Sequence, residues 1–255
     1  MNPLQTVSVR RTGSAEAEPD QVAVEAPVAL VFNGISHAVM MATPADLEAF
    51  ALGFALTEGL LQSKSECYGI DVQLGELGCE VQLEIAAAAE MRLKERRRNL
   101  AGRTGCGLCG IDSLEALDLN PPPLQNPLQI EPAAIARALA AMPARQVLNA
   151  KTGAHHAAAW ATPEGELLAV MEDVGRHNAL DKLLGARVQA GQSTSEGFVI
   201  MSSRASSELV LKCARLKVPL LATISAPTSM AIDIARNTGL ALYGFCRGER
   251  SVRYN

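Results

Sequence analysis

Phe198-Val199-Ile200-Met201-Ser202, Pro219-Leu220-Leu221-Ala222-Thr223-Ile224 and Leu240-Ala241-Leu242-Tyr243-Gly244-Phe245 are three apolar runs of strand length. The intervals between them, 206–216 and 228–237, carry apolar residues at helical spacing. Continuous apolar strands alternating with helices are the pattern of a sheet buried on both faces. Upstream, 176–189 reads as another helix. The runs 156–160 and 167–172 read as a hairpin around Thr162-Pro163-Glu164-Gly165. The order β-β-α-β-α-β-α-β predicts an α/β/α domain with a mainly parallel sheet and helices on both faces.

The chain before these runs has a different grammar. Residues 1–20 are polar and lack periodicity, which predicts a flexible tail. A strand at 22–32 meets Asn33-Gly34, a strong two-residue hairpin signal, and returns along 35–41. Thr43-Pro44-Ala45-Asp46 offers an N-cap, a proline at N1 and an acid at N3 for a helix over 47–61 with one apolar face. Alternation over 68–85 predicts two antiparallel strands, followed by a charged helix at 87–100. Pro121-Pro122-Pro123 and Pro127 mark a linker. The expected organisation is therefore a tail (1–20), a smaller α+β domain (21–120), a linker (121–129) and the α/β/α domain (130–255), which opens on a helix at 130–142.

The totals narrow the function classes. A net charge of −4 and only 4% aromatic residues argue against a nucleic-acid partner. No apolar run reaches the ~20 residues of a membrane span, and the first residues lack a signal peptide's hydrophobic segment. The expectation is a cytoplasmic protein whose six cysteines are reduced. Cys67, Cys79, Cys213 and Cys246 stand singly in apolar contexts and read as packing residues.

Cys106 and Cys109 differ. They lie in Thr104-Gly105-Cys106-Gly107-Leu108-Cys109-Gly110-Ile111-Asp112, before the helix start at Asp112-Ser113-Leu114-Glu115 and after a run of arginines from Arg92 to Arg103. A helix N-terminus and nearby cations favour thiolate over thiol, so the pair has the setting of a nucleophile. One cysteine pair without a partner pair does not complete a structural zinc site, and no metal is expected. A zinc-stapled assembly or chaperone module shared across a dimer, and a thiol–disulfide oxidoreductase, are the alternatives.

In an α/β sheet, ligands bind outside the carboxyl ends of the strands. Those ends read Glu172-Asp173-Val174-Gly175-Arg176-His177-Asn178, Ser202-Ser203-Arg204, Ser225-Ala226-Pro227-Thr228-Ser229 and Phe245-Cys246-Arg247-Gly248-Glu249-Arg250. Three of them open helices, and Arg176, Arg204, Arg247 and Arg250 add positive charge, so the edge suits phosphate or pyrophosphate. The topology and the place of His177 resemble the cytidine deaminase fold. The residues after His177 are Asn178-Ala179, without the glutamate of deaminase chemistry, and the next helix start has no cysteine.

Several segments together resemble the formate dehydrogenase accessory sulfurtransferase family, the formate dehydrogenase sulfur carriers. They are Thr43-Pro44, the run from Leu47 to Gly59, Cys106-Gly107-Leu108-Cys109-Gly110, the run from Glu172 to Lys182, Ser202-Ser203-Arg204, Ser225 to Ser229 and Gly244-Phe245-Cys246-Arg247. The resemblance implies a persulfide carrier. It would take sulfur from a cysteine desulfurase on Cys106 and pass it to the molybdenum cofactor, bis-molybdopterin guanine dinucleotide, so activating formate dehydrogenase. By the same resemblance Phe245, Cys246, Arg247, Gly248, Glu249 and Arg250 would contact the cofactor; the reading of the sheet edge adds His177 and Arg204, and GDP would mimic a fragment of the cofactor there. Cys109 would assist, and the protein would be a homodimer.

Overall fold

The computed structural model describes residues 1–14, 16–99, 121–125 and 128–255. The first residues are not a tail. β1 (Leu4–Val9) and β2 (Glu18–Ala23) pair antiparallel, from Leu4 opposite Ala23 to Val9 opposite Glu18. Most of this ribbon faces water, so its sequence shows no apolar alternation to announce it. The strand expected over 22–32 is accordingly divided, and its second part is β3 (Ala26–Phe32).

β3 turns at Asn33 and Gly34, both at positive φ (46° and 75°), into β4 (Ile35–Ala42). This double left-handed turn matches the twist of the flanking strands. After α1 (Leu47–Thr57) come β5 (Cys67–Leu74) and β6 (Cys79–Ile85), then α2 (Ala87–Asn99). β6 pairs antiparallel with β5 and parallel with β3, giving the strand order β4-β3-β6-β5. Val28, Leu30, Phe32, Val81, Leu83 and Ile85 form the inner face of this sheet.

The second half contains α3 (Pro132–Ala141), α4 (Asn149–Thr152), β7 (His156–Ala161), β8 (Leu167–Asp173), α5 (Arg176–Gln189), β9 (Phe198–Met201), α6 (Ser207–Arg215), β10 (Leu220–Thr223), α7 (Ser229–Thr238), β11 (Ala241–Arg247) and β12 (Arg250–Arg253). Their sheet runs β12-β11-β10-β9-β7-β8. Only the β9–β10 and β10–β11 pairings are parallel; β7 is antiparallel to both neighbours, and β12 is antiparallel to β11. The expected mainly parallel sheet is thus a mixed one. The turn at 162–165 is too short for a crossover, so β8 must return beside β7, and Gly248 at φ 56° reverses the chain into β12.

Helices do cover both faces. The order β9-β10-β11 proceeds in one direction, so right-handed crossovers put α6 and α7 on the same face. Ala158, Trp160, Val199, Met201 and Leu221 meet α5, α6 and α7 there. Their neighbours Ala157, Ala159, Phe198, Ile200 and Ala222 meet α3 on the other face.

α1 unites the halves. An apolar stripe was expected, yet Leu47 and every residue from Ala49 to Thr57 are buried, because α1 packs on its own sheet and also on α5. The helices cross at two glycines. A Cβ on Gly53 would sit 1.8 Å from the Asp181 carbonyl oxygen, and one on Gly185 would sit 1.9 Å from that of Ala49. Any side chain at either position would force the helices apart. No helix among the described residues is long and apolar enough to cross a membrane.

Candidate functional site

Because β7 is antiparallel to both β8 and β9, the carboxyl ends of β8, β9, β10 and β11 share one edge with the start of β7. Hydrogen bonds tie that edge together. His156 is opposite Asp173 in the β7–β8 register. Ala157 N–H donates to Ser202 Oγ at 2.8 Å, and Ser202 N–H donates back to the Ala157 carbonyl. Ile224 N–H donates to Met201 O, and Phe245 N–H to Ser225 O. A bridge between Ala205 and Pro227 joins the starts of α6 and α7. The polar clusters that the sequence placed at strand ends therefore do share an edge.

α5, α6 and α7 begin there, capped by Gly175, Ser206 and Thr228, of which only Thr228 accepts an N–H through its side chain. The first turns of α5 and α6 are tied through His177. Its Nε2 lies 2.5 Å from Glu208 Oε2 and 3.4 Å from Ser206 Oγ. The hydrogen bond from His177, aided by its charge and that of Arg176, holds the Glu208 carboxyl below the usual range against the cost of burial. Burial, then the charges of Arg176 and His177, push His156 down toward the neutral form. Arg176 Nε is buried without a partner among the described residues, whereas Arg204, Arg247 and Arg250 are exposed.

Much of the run from Glu172 to Lys182 has other work. Glu172 accepts the N–H groups of Leu148 and Asn149 at 2.8 and 2.7 Å, capping α4. Asp173, fully buried, accepts from Thr43 N–H (3.0 Å), Gly175 N–H (2.8 Å) and Asn178 Nδ2 (3.0 Å), and pairs with Lys182 Nζ at 2.7 Å. Lys182, also fully buried, donates to the Thr43 carbonyl at 2.9 Å, and Val174 N–H donates to Thr43 Oγ1. Thr43 is consequently not the cap of α1. Asp46 holds that position at φ 54°, without a side-chain capping bond.

A second knot joins the same helices. Lys212 Nζ on α6 donates to both Asp181 oxygens, at 3.0 and 2.9 Å, to Thr57 Oγ1 at 3.0 Å, and pairs with Glu58 at 2.7 Å. These residues were absent from the sequence-derived site. The signal for them was a lysine inside the apolar run Leu209-Val210-Leu211-Lys212-Cys213, which a buried helix tolerates only with anions opposite.

The C-terminal segment divides by residue. A bulge between Gly244 and Arg247 turns Phe245 outward at φ 51°, 44% exposed. For a bulky residue this is a strained backbone conformation. Gly248, Glu249 and Arg250 are exposed with it. Cys246 is different: its side chain belongs to the core on the α3 face, and burial pushes its thiol up to about 11. The bulge sets it on the α3 face with Tyr243, buried away from the surface, so its side chain is not presented at the edge. Cys106 and Cys109 lie outside the described residues.

Residues 23–255 match the model of the FdhD/NarQ family. A sulfur carrier protein of Chromobacterium violaceum is 58% identical over 245 residues, spanning 95% of this chain and 91% of that protein. A second, from Cupriavidus necator, is 52% identical over 97% of this chain and 86% of that protein. In structure, a protein of Desulfotalea psychrophila assigned as a formate dehydrogenase accessory protein superposes with a TM-score of 0.73 at 25% identity, covering 99% of this chain and 96% of that one. With a family match running from the second strand to the last residue, and relatives this similar along almost their whole length, the chain belongs to the FdhD/NarQ family.

Proposed function

We propose that this chain is a sulfur carrier serving a formate dehydrogenase, and that its sheet edge binds the nucleotide portion of the molybdenum cofactor that receives the sulfur. The names of its relatives support the carrier role. The observation that carries the binding role is the edge itself. Three helix starts converge on it, exposed Arg204, Arg247 and Arg250 surround it, and Arg176 Nε is buried there without a partner among the described residues. Backbone N–H groups and guanidinium groups in this arrangement fit the phosphates of a guanine dinucleotide. Exposed Phe245 offers the guanine an aromatic surface.

In this reading bis-molybdopterin guanine dinucleotide is a substrate, and Cys106 is the nucleophile. The Cys106 thiolate attacks the terminal sulfur of a desulfurase persulfide. The S–S bond of the donor breaks, the desulfurase cysteine leaves as a thiolate, and the sulfane sulfur stays on Cys106. Attack by the Cys109 thiolate on the inner sulfur then expels hydrosulfide and leaves a Cys106–Cys109 disulfide. His177, held by Glu208 and Ser206, positions the α5–α6 rim. The protein works as a cytoplasmic homodimer.

Mass spectrometry after incubation with a cysteine desulfurase and cysteine tests the carrier role: wild type gains sulfur and Cys106→Ala does not. Wild type without added sulfur, or a Cys106→Ala variant that fully activates formate dehydrogenase, refutes it.

A further inference from the structure

Two surface grooves meet at Leu74, and neither shares a residue with the sheet edge. One, of about 600 Å³, lies over the outer face of the four-stranded sheet beside the β5–β6 turn. The other, of about 520 Å³, lies at the start of α1, against Met171 and Ala186 of the second half. Their apolar lining is left in water: Leu77 is 92% exposed, Leu74 60% and Val39 53%. Scattered exposed leucines mean little, but contiguous ones along a groove mark an interaction surface.

The charged side chains of the rim are all of one sign, although the amino group of Met1 stands with them in the second groove. Glu76 and Glu80 line the first groove, Asp46 and Glu48 the second, and among the described residues no lysine or arginine lines either. Strands β3 to β6 contain no lysine or arginine at all. Among the described residues none of the four carboxylates has a cationic side chain as partner. Glu80 accepts from Gln82 and Glu48 from Gln189, both neutral amides, and Asp46 makes no capping bond.

We infer that this groove pair docks a basic, amphipathic segment of a partner protein, its apolar side chains packing on Val39, Leu74 and Leu77 and its cations facing the four carboxylates. Charge complementarity selects this occupant. A second copy pairing through this same face would bring an identical acidic rim, and anionic lipid or nucleic acid would be repelled. The inference is independent of the sulfur-carrier reading.

The test titrates the full chain into a fluorescein-labelled helical peptide of alternating leucine and lysine faces, with a leucine–glutamate twin as control. Anisotropy should show saturable binding of the lysine peptide only, weakening as salt rises. Leu74→Ala with Leu77→Ala should weaken it roughly tenfold, and Glu76→Gln with Glu80→Gln roughly fivefold. An unchanged circular dichroism melt reports that both variants are folded. No saturable binding, equal binding of the glutamate twin, or variants indistinguishable from wild type would overturn the proposal. So would a drop in sedimenting mass of either variant, which would assign the face to self-association.

Discussion

Lys182→Met separates two meanings of the run from Glu172 to Lys182, which the sequence offers as a ligand-binding motif and the structure uses as a seam. Lys182 is fully buried, 2.7 Å from Asp173 Oδ2 and 2.9 Å from the Thr43 carbonyl. Methionine fills most of its volume without its charge. The Asp173 carboxylate would keep the N–H donors of Thr43, Gly175 and Asn178 but lose its cation. Breaking a buried pair costs about 3–5 kcal/mol. The remaining charge-assisted hydrogen bonds hold the loss toward the lower end, roughly 3 kcal/mol. A chain of this size moves about 2–4 °C per kcal/mol, so Tm should fall by roughly 6–12 °C.

The chain's single tryptophan, Trp160, is fully buried and reports the unfolding by fluorescence. GDP binding, measured by calorimetry well below the melt, should stay within about twofold of wild type, since Lys182 reaches no surface. Exposed Arg204→Gln should do the reverse, leaving Tm within about 1 °C and weakening GDP binding. A Lys182→Met protein that melts like wild type but no longer binds GDP would show the lysine to be a ligand, and the seam argument would be wrong.

The layering of the second half was legible because both faces of its central strands are apolar, and only a sheet covered on both sides buries such runs. Strand direction was not: parallel and antiparallel buried strands have the same composition, and β7 and β12 owe their direction to short turns. The shared edge followed correctly from strand ends. The roles of the residues on it did not, because a carboxylate that caps a loop, as Glu172 does, and one that faces a ligand are the same letter. Cys246 and Phe245 are adjacent and were read alike, yet one bulge turns them to opposite sides. Thr43 looked like a helix cap because its local context, Thr-Pro-Ala-Asp, is that of a cap. Its true partners, Asp173, Val174 and Lys182, are more than a hundred residues away. Gly53 and Gly185 likewise carry no mark in sequence of the close crossing they permit.

Gly53→Ala should cost about 3 kcal/mol or more, at the upper end of overpacking, since its Cβ would stand 1.8 Å from a backbone oxygen that cannot step aside; a urea melt showing less than about 1 kcal/mol would contradict the crossing. Glu208, whose folded pKa is lowered first by the His177 hydrogen bond, stabilises the fold above the unfolded carboxyl value near 4.5 and loses that contribution as pH falls through its folded value. Urea midpoints between pH 6 and 3 should therefore fall more steeply for wild type than for Glu208→Gln, and parallel curves would remove the His177–Glu208 tie from the account. The cysteines provide the last prediction. Burial pushes the Cys246 thiol to about 11 and the Cys213 thiol upward as well. A thiol that is both buried and protonated is closed to alkylation. Iodoacetamide at pH 7.5 should thus spare Cys213 and Cys246 in the native protein and modify both in denaturant, while Cys106 reacts as the proposed nucleophile. Native alkylation of Cys246 would mean that β11 opens beside Phe245, and that this thiol reaches the ligand edge after all.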